Sequence, residues 1–285
     1  VHVLHHAKHG NGVGQAGDET GSRRVVHAQK TAQLHQGLPE HLGNGPDQGE
    51  RARQHQVNLL FEASVGGGIP IIRPLHQCLG ANELDDIQGI LNGTTNYILS
   101  RMDAEGADYA DVLADAQAKG YAEADPSADV DGFDAASKTA ILASIGFGTR
   151  VTTDDVYQQG IRTIGAEDIA QARELGYTIK LLGIARNTDA GVDVRVHPTL
   201  IPADHMLAKV NGAMNAVYVV GDAVGETMFY GAGAGSFPTA SAVVGDILSL
   251  SEQISRGVAP LPEIEPYGHN LAFKPMDELQ TLSLI

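Results

Sequence analysis

The chain has 285 residues, of which 42% are hydrophobic, and a formal net charge of −16 at pH 7, so it can form one large or two medium domains with a real core. Its acidic balance argues against nucleic acid or an anionic membrane as a partner, although backbone amides at a helix start can still hold an anionic cofactor. The chain contains one cysteine, Cys78, no run of 18 apolar residues and no signal segment. We therefore expect no disulfide framework, no membrane span and a cytoplasmic location.

The first 56 residues differ from the rest in composition. They hold 8 of the 12 histidines, no Phe or Tyr, and little apolar periodicity. Gly12, Gly14 and Gly17 spell GxGxxG, but neither a strand before them nor an amphipathic helix after them is evident. Two interpretations stay open, a dinucleotide-binding loop and a flexible glycine-rich loop. We expect a domain boundary near Val57 and no regular fold before it.

Three consecutive glycines, Gly66 to Gly68, follow an apolar run over residues 57–61 that predicts a buried strand. Such a turn can point carbonyl oxygens at a small cation, with Glu62 adding charge. The alternative is a plain turn between the strand and a helix. The helix is predicted over residues 69–79, with Pro70 in its first turn.

A further glycine, Gly93, lies at the start of the helix that is predicted to follow the strand 86–91. Gly93, Thr94 and Thr95 open a helix that extends to Met102. Free backbone N–H groups collect at a helix start, which suits a phosphate, a carboxylate or a polar substrate. The alternative is an ordinary N-cap.

Residues 120–138 form an acidic segment that leads into one cation. It follows a predicted helix over 108–119 and runs into another over 133–145. On that helix Asp134 and Lys138 are four residues apart and share one face. The cluster predicts an acid/base site, whereas the alternative is a surface lysine with its head in water. Its carboxylates are Glu123, Asp125, Asp129, Asp131 and Asp134.

The remaining chain alternates between strands and helices. We predict a helix over 166–175 and an antiparallel pair of strands over 177–185 and 192–199. Two more strands are predicted over 217–221 and 227–230. Five residues rich in glycine, 231–235, then precede a helix over 239–254, an arrangement that favours close approach to a ligand.

Five ordered motifs connect the chain to a known family. They are FEASVGGGIPIIRPL, GILNGTTNYIL, KGYAEADPSADVDGFDAASK, GAGAGSFPTASAVVGDI and PMDELQT. From about Val57 to Leu282 the chain resembles homoserine dehydrogenase. The resemblance implies NAD(P)-dependent interconversion of L-homoserine and L-aspartate 4-semialdehyde, on the route to threonine, methionine and isoleucine.

The resemblance also implies an α+β fold, a mixed β-sheet covered by helices. Residues 57–256 would be the catalytic and dimerisation domain, working as a homodimer or homotetramer. Residues 1–56 would be a poorly structured remnant in place of an N-terminal Rossmann domain. Residues 257–285 would be a tail leading to a missing regulatory ACT domain.

The resemblance assigns the acidic segment separate roles. Lys138 matches the proton-transferring lysine of the family, and Asp129 matches another active-site carboxylate. Glu123 and Asp134 match the carboxylates that bind the ammonium and hydroxyl ends of the substrate. A lysine close to the reacting oxygen can donate a proton to it and accept one in reverse.

Cofactor and cation contacts follow from the same matches. Gly120 and Gly235 match backbone contacts to the nicotinamide cofactor, NADP or NAD. The family's sodium ion is held through backbone oxygens. The matching residues are Glu62, Val65, Gly67 and Ile69.

The head of the chain departs from the family's pattern. No convincing strand followed by GxGxxG is present, and Lys30 in VVHAQK is only a weak match to a second lysine of the family. An alternative function therefore stays open, an inactive homologue that acts only as a dimerisation or binding module.

Overall fold

The computed structural model describes residues 52, 55–189, 191–258, 271–274 and 276. The predictions made for the head, including the GxGxxG segment, Lys30 and the unstructured remnant, lie almost entirely outside these residues. Most of the predicted C-terminal tail also lies outside them. The proposed domain boundaries therefore stay predictions.

A six-stranded sheet organises the described chain. Its strand order is β2-β4-β3-β1-β5-β6, antiparallel throughout except for the parallel pair β2 and β4. This mixed sheet with its helices confirms the predicted α+β class. The strands are β1 (Leu84–Ile90), β2 (Tyr157–Gln158), β3 (Tyr177–Thr188), β4 (Gly191–Pro202), β5 (Met214–Gly221) and β6 (Gly225–Ala232).

Six α-helices accompany the sheet in the described ranges. They are α1 (Gly93–Glu105), α2 (Tyr109–Ala118), α3 (Ser127–Val130), α4 (Phe133–Phe147), α5 (Ala166–Glu174) and α6 (Ser236–Ser255). None of them is long and apolar enough to span a bilayer. From residue 84 onward the predicted helices and strands are present at these places, with ends that differ by a few residues.

Helix α4 packs directly on the centre of the sheet because small residues allow a close approach. Gly183 of β3 faces Thr139, and a Cβ added at Gly183 would collide with the Thr139 hydroxyl. Thr139 and Leu142 are buried, and they face the layer of apolar residues from β1, β3 and β4. This contact fixes α4, and with it Lys138, relative to the end of β1.

Two predictions near the start of the described chain were wrong. Residues 57–61 form no strand; the Val57 N–H bonds to the Ala52 carbonyl instead of to a neighbouring strand. An apolar run can pack against a core without pairing, as Phe61 does. The helix predicted over 69–79 is shortened to a π-helical turn, Pro74–Cys78, preceded by one helical turn. Pro74 has no N–H to continue a regular helix before it.

Candidate functional site

Lys138 and Asp134 form the centre of a polar cluster on the first turns of α4. Lys138 Nζ donates to Asp134 Oδ2 at 2.7 Å and to the Leu91 carbonyl at 3.1 Å. The two side chains are partly exposed, 19% and 28%. The predicted shared face is therefore confirmed, and the Leu91 carbonyl ties the ammonium group to the end of β1. Lys138 is held in place on the protein rather than extended into water.

Asn92 brings the two carboxylates of the cluster together. Its Nδ2 donates to Asp129 Oδ1 at 2.7 Å and to Asp134 Oδ2 at 3.0 Å. Its Oδ1 accepts from the Thr95 N–H at 2.9 Å, so Asn92 is also the N-cap of α1. Asn92 thus caps α1 and bonds to the acidic segment at the same time.

Asp129 lies on the short helix α3, half-buried beside this amide. Burial raises the pKa of Asp129, the Asn92 hydrogen bond lowers it, and the nearby charge of Asp134 raises it. Together these effects raise the pKa of Asp129 above the ordinary value of an aspartate. The pKa of this carboxyl therefore depends on a small number of neighbouring donors.

Gly120 and Tyr121 lie beside the start of α1. The Thr94 hydroxyl donates to the Tyr121 carbonyl at 2.6 Å. Gly120 has a φ of +75°, and a Cβ at this position would meet no described atom within 4 Å. The space beside the Gly120 backbone is therefore open within the described chain.

A network behind this segment holds it in place. The Asp115 carboxylate receives hydrogen bonds from Tyr97, Arg101 and Lys119. Lys119 and Tyr97 lower the pKa of Asp115 to about 2. The Tyr97 ring lies 4.7 Å from that of Tyr121, centroid to centroid. The turn between α2 and the acidic segment is consequently anchored on both sides.

Glu123 is exposed and lies apart from the hydrogen bonds of the cluster. Its carbonyl accepts from Gln117 Nε2 at 2.9 Å, which holds the backbone. Among the described residues its carboxylate makes no hydrogen bond to Asp129, Asp134 or Lys138. The structure thus assembles three of the four predicted catalytic and substrate-binding residues and leaves the fourth in the same segment.

The two glycine-rich segments meet in space. The Gly68 N–H donates to the Ala232 carbonyl at 3.0 Å, and a Cβ at Gly67 would lie 2.5 Å from the Gly233 carbonyl oxygen. Gly67 has a φ of +33°. Any larger residue would push residues 231–235 away. Gly235 follows with a φ of +114° and forms the N-cap of α6.

Asn215 of β5 connects the second glycine segment to the start of α1. Its Oδ1 lies 3.5 Å from the place that a Cβ of Gly93 would occupy and 2.5 Å from that of Gly233. Asn215 is 1% exposed, and this oxygen has no hydrogen-bond partner among the described residues. A buried acceptor without a donor is a place where a bound molecule can supply one.

Glu62 has a structural role that the sequence did not indicate. Its carboxylate accepts from the N–H groups of Ile71, Ile72 and Arg73 at 2.6, 2.9 and 2.9 Å. Its own N–H donates to Asp246 Oδ2, and Asp246 pairs with Arg73 at 2.7 Å. The carboxylate therefore caps the following helical turn.

The backbone carbonyls of the glycine turn remain unused within the described chain. The oxygens of Val65, Gly67 and Ile69 accept no hydrogen bond among the residues that the structure describes. In the same ranges no group of three or more His, Cys, Asp or Glu side chains could hold a metal ion. A cation bound here would have to use backbone oxygens.

Comparison with known proteins identifies the family of this site. The family model described as homoserine dehydrogenase matches residues 70–248, more than half of the chain. The chain belongs to the homoserine dehydrogenase family. The matched range includes Asn92, Lys138 and the glycine segment 231–235, so the resemblance read from the motifs is confirmed.

Close relatives carry the same family name. A homoserine dehydrogenase of Synechocystis sp. is 56% identical over 247 residues, covering 83% of this chain and 57% of the relative. One of Mycobacterium bovis is 58% identical over 204 residues, covering 70% and 46%. The chain thus spans about half the length of the curated relatives it matches.

Solved structures agree with the fold. A homoserine dehydrogenase from Thiobacillus denitrificans superposes with a TM-score of 0.78 at 44% identity, covering 89% of this chain and 57% of that one. A hyperthermophilic archaeal homoserine dehydrogenase mutant in complex with NADPH superposes with a TM-score of 0.62 at 27% identity, covering 74% and 60%. The architecture of the homoserine dehydrogenase family is therefore present in the described chain.

Asn92 is the residue of this cluster that sequence reasoning missed. Its local signal is an asparagine between a strand and a helix start, a pattern that is typical of an N-cap. Asp129 and Asp134 follow Asn92 by 37 and 42 residues. No local pattern indicates contacts at such separations.

Proposed function

We propose that this chain catalyses the NAD(P)-dependent interconversion of L-homoserine and L-aspartate 4-semialdehyde. The observation that carries the proposal is the cluster of Lys138, Asp134, Asn92 and Asp129 at the end of β1. A cation held between a carboxylate and a carbonyl is well placed to exchange a proton with a substrate oxygen. Family membership supports the same chemistry.

In the proposed reaction Lys138 transfers the proton. In the direction of reduction its ammonium group donates a proton to the aldehyde oxygen as that oxygen gains negative charge. In the reverse direction its neutral amine accepts the proton of the hydroxyl group. Asp134 keeps the Nζ in place, and the Leu91 carbonyl restricts its other direction.

Binding of the amino-acid end falls to the carboxylates. The substrate carries an ammonium group, and Asp129, Asp134 and Glu123 supply negative charge along one segment. We propose that Glu123 and Asp134 contact the substrate and that Asp129 completes the active site. Glu123 is exposed and can turn toward an occupant without breaking a side-chain bond in the described chain.

The nicotinamide cofactor supplies the hydride when bound. Two observations fit its nicotinamide end: the open backbone of Gly120 and the unpartnered, buried Asn215 oxygen beside Gly93 and Gly233. We propose that Gly120 and Gly235 contact it through their backbones. A solved relative with NADPH supports NADP, while NAD remains the alternative.

Further parts of the proposal concern sodium, assembly and setting. We propose a sodium ion at the carbonyl oxygens of Glu62, Val65, Gly67 and Ile69, supported by the carbonyls of Val65, Gly67 and Ile69, which accept no hydrogen bond in the described chain. We also propose a homodimer or homotetramer, a cytoplasmic setting, and a place on the route to threonine, methionine and isoleucine.

The test is NADPH or NADH oxidation by the full chain with L-aspartate 4-semialdehyde. We expect turnover that depends on both substrates, and calorimetric binding of the reduced cofactor. No turnover together with no cofactor binding would overturn the proposed activity. A folded oligomer with that result would instead favour the alternative function, a dimerisation or binding module.

A further inference from the structure

Among the described residues, Asn92 is the one that bonds to both carboxylates of the cluster and to the start of α1. Its amide nitrogen donates to Asp129 and to Asp134, and its oxygen accepts from the backbone N–H and the hydroxyl of Thr95. The Thr95 N–H can only donate, so the amide oxygen must face it. The amide nitrogen must then face the carboxylates, and its two hydrogens serve one carboxylate each.

The two carboxylates differ in what else supports their charge. Asp134 has the ammonium group of Lys138 at 2.7 Å. Asp129 has the Asn92 amide, while the charge of Asp134 repels it and the charge of Lys138 attracts it from α4. A half-buried carboxylate next to another carboxylate needs donors to stay ionised. Within the described chain, the Asn92 amide donates to Asp129 at 2.7 Å.

Asn92 also joins four elements at the cluster. It follows β1, caps α1, and bonds to residues of α3 and α4. The hydrogen bond from Thr95 fixes the orientation of the Asn92 side-chain amide. The amide in turn fixes the positions of the Asp129 and Asp134 carboxylates. A site held in this way is preorganised before substrate arrives.

We propose that Asn92 is a positioning residue that holds the carboxylates of Asp129 and Asp134 in place for the ammonium group of the substrate and for Lys138. This inference rests on the proposed function. It assigns Asn92 no contact with the reacting atoms; it acts through the two carboxylates.

Two substitutions separate the role of Asn92 as the N-cap of α1 from its hydrogen bonds to the two carboxylates. Asn92→Ser keeps an oxygen that can cap α1 but removes both N–H donors. Asn92→Asp keeps the cap and the shape but places a third carboxylate against Asp129 and Asp134. Asn82→Ser is the matched control, because Asn82 also donates and accepts through its amide, to Leu79 and from Val224, away from the cluster.

In the full chain we expect Asn92→Ser to lower kcat/KM by about 10- to 100-fold, as expected for lost hydrogen bonds to charged groups. The acidic limb of its pH profile should move to higher pH, because Asp129 loses the donor that favours its ionised form. The kcat/KM of Asn92→Asp should fall further than that of Asn92→Ser. Asn82→Ser should have the kcat/KM and the pH profile of the wild type. A merely structural role would lower the amount of folded protein but would not move the pH limb.

A second readout needs no activity. Carbon-13 NMR titration of the Asp129 carboxyl should give a higher midpoint in Asn92→Ser than in the wild type. An unchanged midpoint overturns the inference, and so does a moved midpoint with unchanged kinetics. If the wild type itself shows no turnover, the proposed function fails, and the titration still decides whether Asn92 controls the ionisation of Asp129.

Discussion

Lys138 and Asp134 lie one turn apart on α4, and the 2.7 Å bond between Nζ and Oδ2 leaves the ammonium group one further protein contact, the Leu91 carbonyl. An ammonium group has three donors. The third is therefore free of described partners and can serve a substrate oxygen.

Replacing Lys138 by methionine should remove the proton donor while keeping the length of the side chain. We expect kcat to fall by about 100- to 10,000-fold, the range for a general acid, with a smaller effect on KM. Steady-state kinetics in both directions measures this. Lys209→Met, at an exposed lysine, is the control. A rate close to wild type in Lys138→Met would reject Lys138 as the proton donor.

Lys180 should make stability depend on alkaline pH. Its Nζ is enclosed by four oxygens, those of Asn96, Ser100, Val210 and Asn211. Burial lowers the pKa of Lys180 to about 8. Its value in the unfolded chain is about 10.4, so between these values the unfolded chain binds more protons and stability rises with pH.

We expect the Lys180 contribution to the free energy of unfolding to increase by roughly 3 kcal/mol from pH 8 to pH 10.5. Urea unfolding at intervals across this range measures it. In Lys180→Met the proton linkage is absent, so the difference between wild type and variant should grow with pH. Parallel curves for the two proteins would contradict the prediction.

Gly183 and Gly245 should respond oppositely to alanine. A Cβ at Gly183 collides with Thr139 between the sheet and α4, and we expect a loss of about 1–3 kcal/mol. Gly245 lies inside α6 with no described atom within 4 Å of its Cβ position. Alanine there should stabilise by about 0.5–1 kcal/mol, because glycine is a poor helix former. Thermal or urea unfolding tests both, and a neutral Gly183→Ala would contradict the close packing of α4.

Glu62→Gln should separate helix capping from the proposed sodium site. The carboxylate accepts three backbone N–H groups, so we expect the free energy of unfolding to fall by about 1.5–3 kcal/mol. The carbonyl is unchanged, so the sodium concentration that half-saturates any effect on activity should stay within about twofold of wild type, a shift of under 0.5 kcal/mol. Glu83→Gln, at an exposed carboxylate, is the control. A variant of full stability that has lost its sodium response would show that the carboxylate binds the ion.

The sequence by itself determined the features that depend on neighbours in the chain. The shared face of Asp134 and Lys138 follows from the helical repeat, and the helix start at Gly93 follows from a glycine and two threonines after a strand. The strands β3 and β4 follow from two apolar runs joined by a short turn. The family followed from the order of long motifs.

Only the tertiary structure decided which of these features meet. Asn92 contacts Asp129 and Asp134 because α4 packs on the sheet through Gly183 and Thr139, which carries the acidic segment to the end of β1. The two glycine segments pack together although more than 160 residues separate them. Periodicity reports which face of an element is buried, but not which element covers it. Long-range packing therefore brings Asn92 into contact with Asp129 and Asp134.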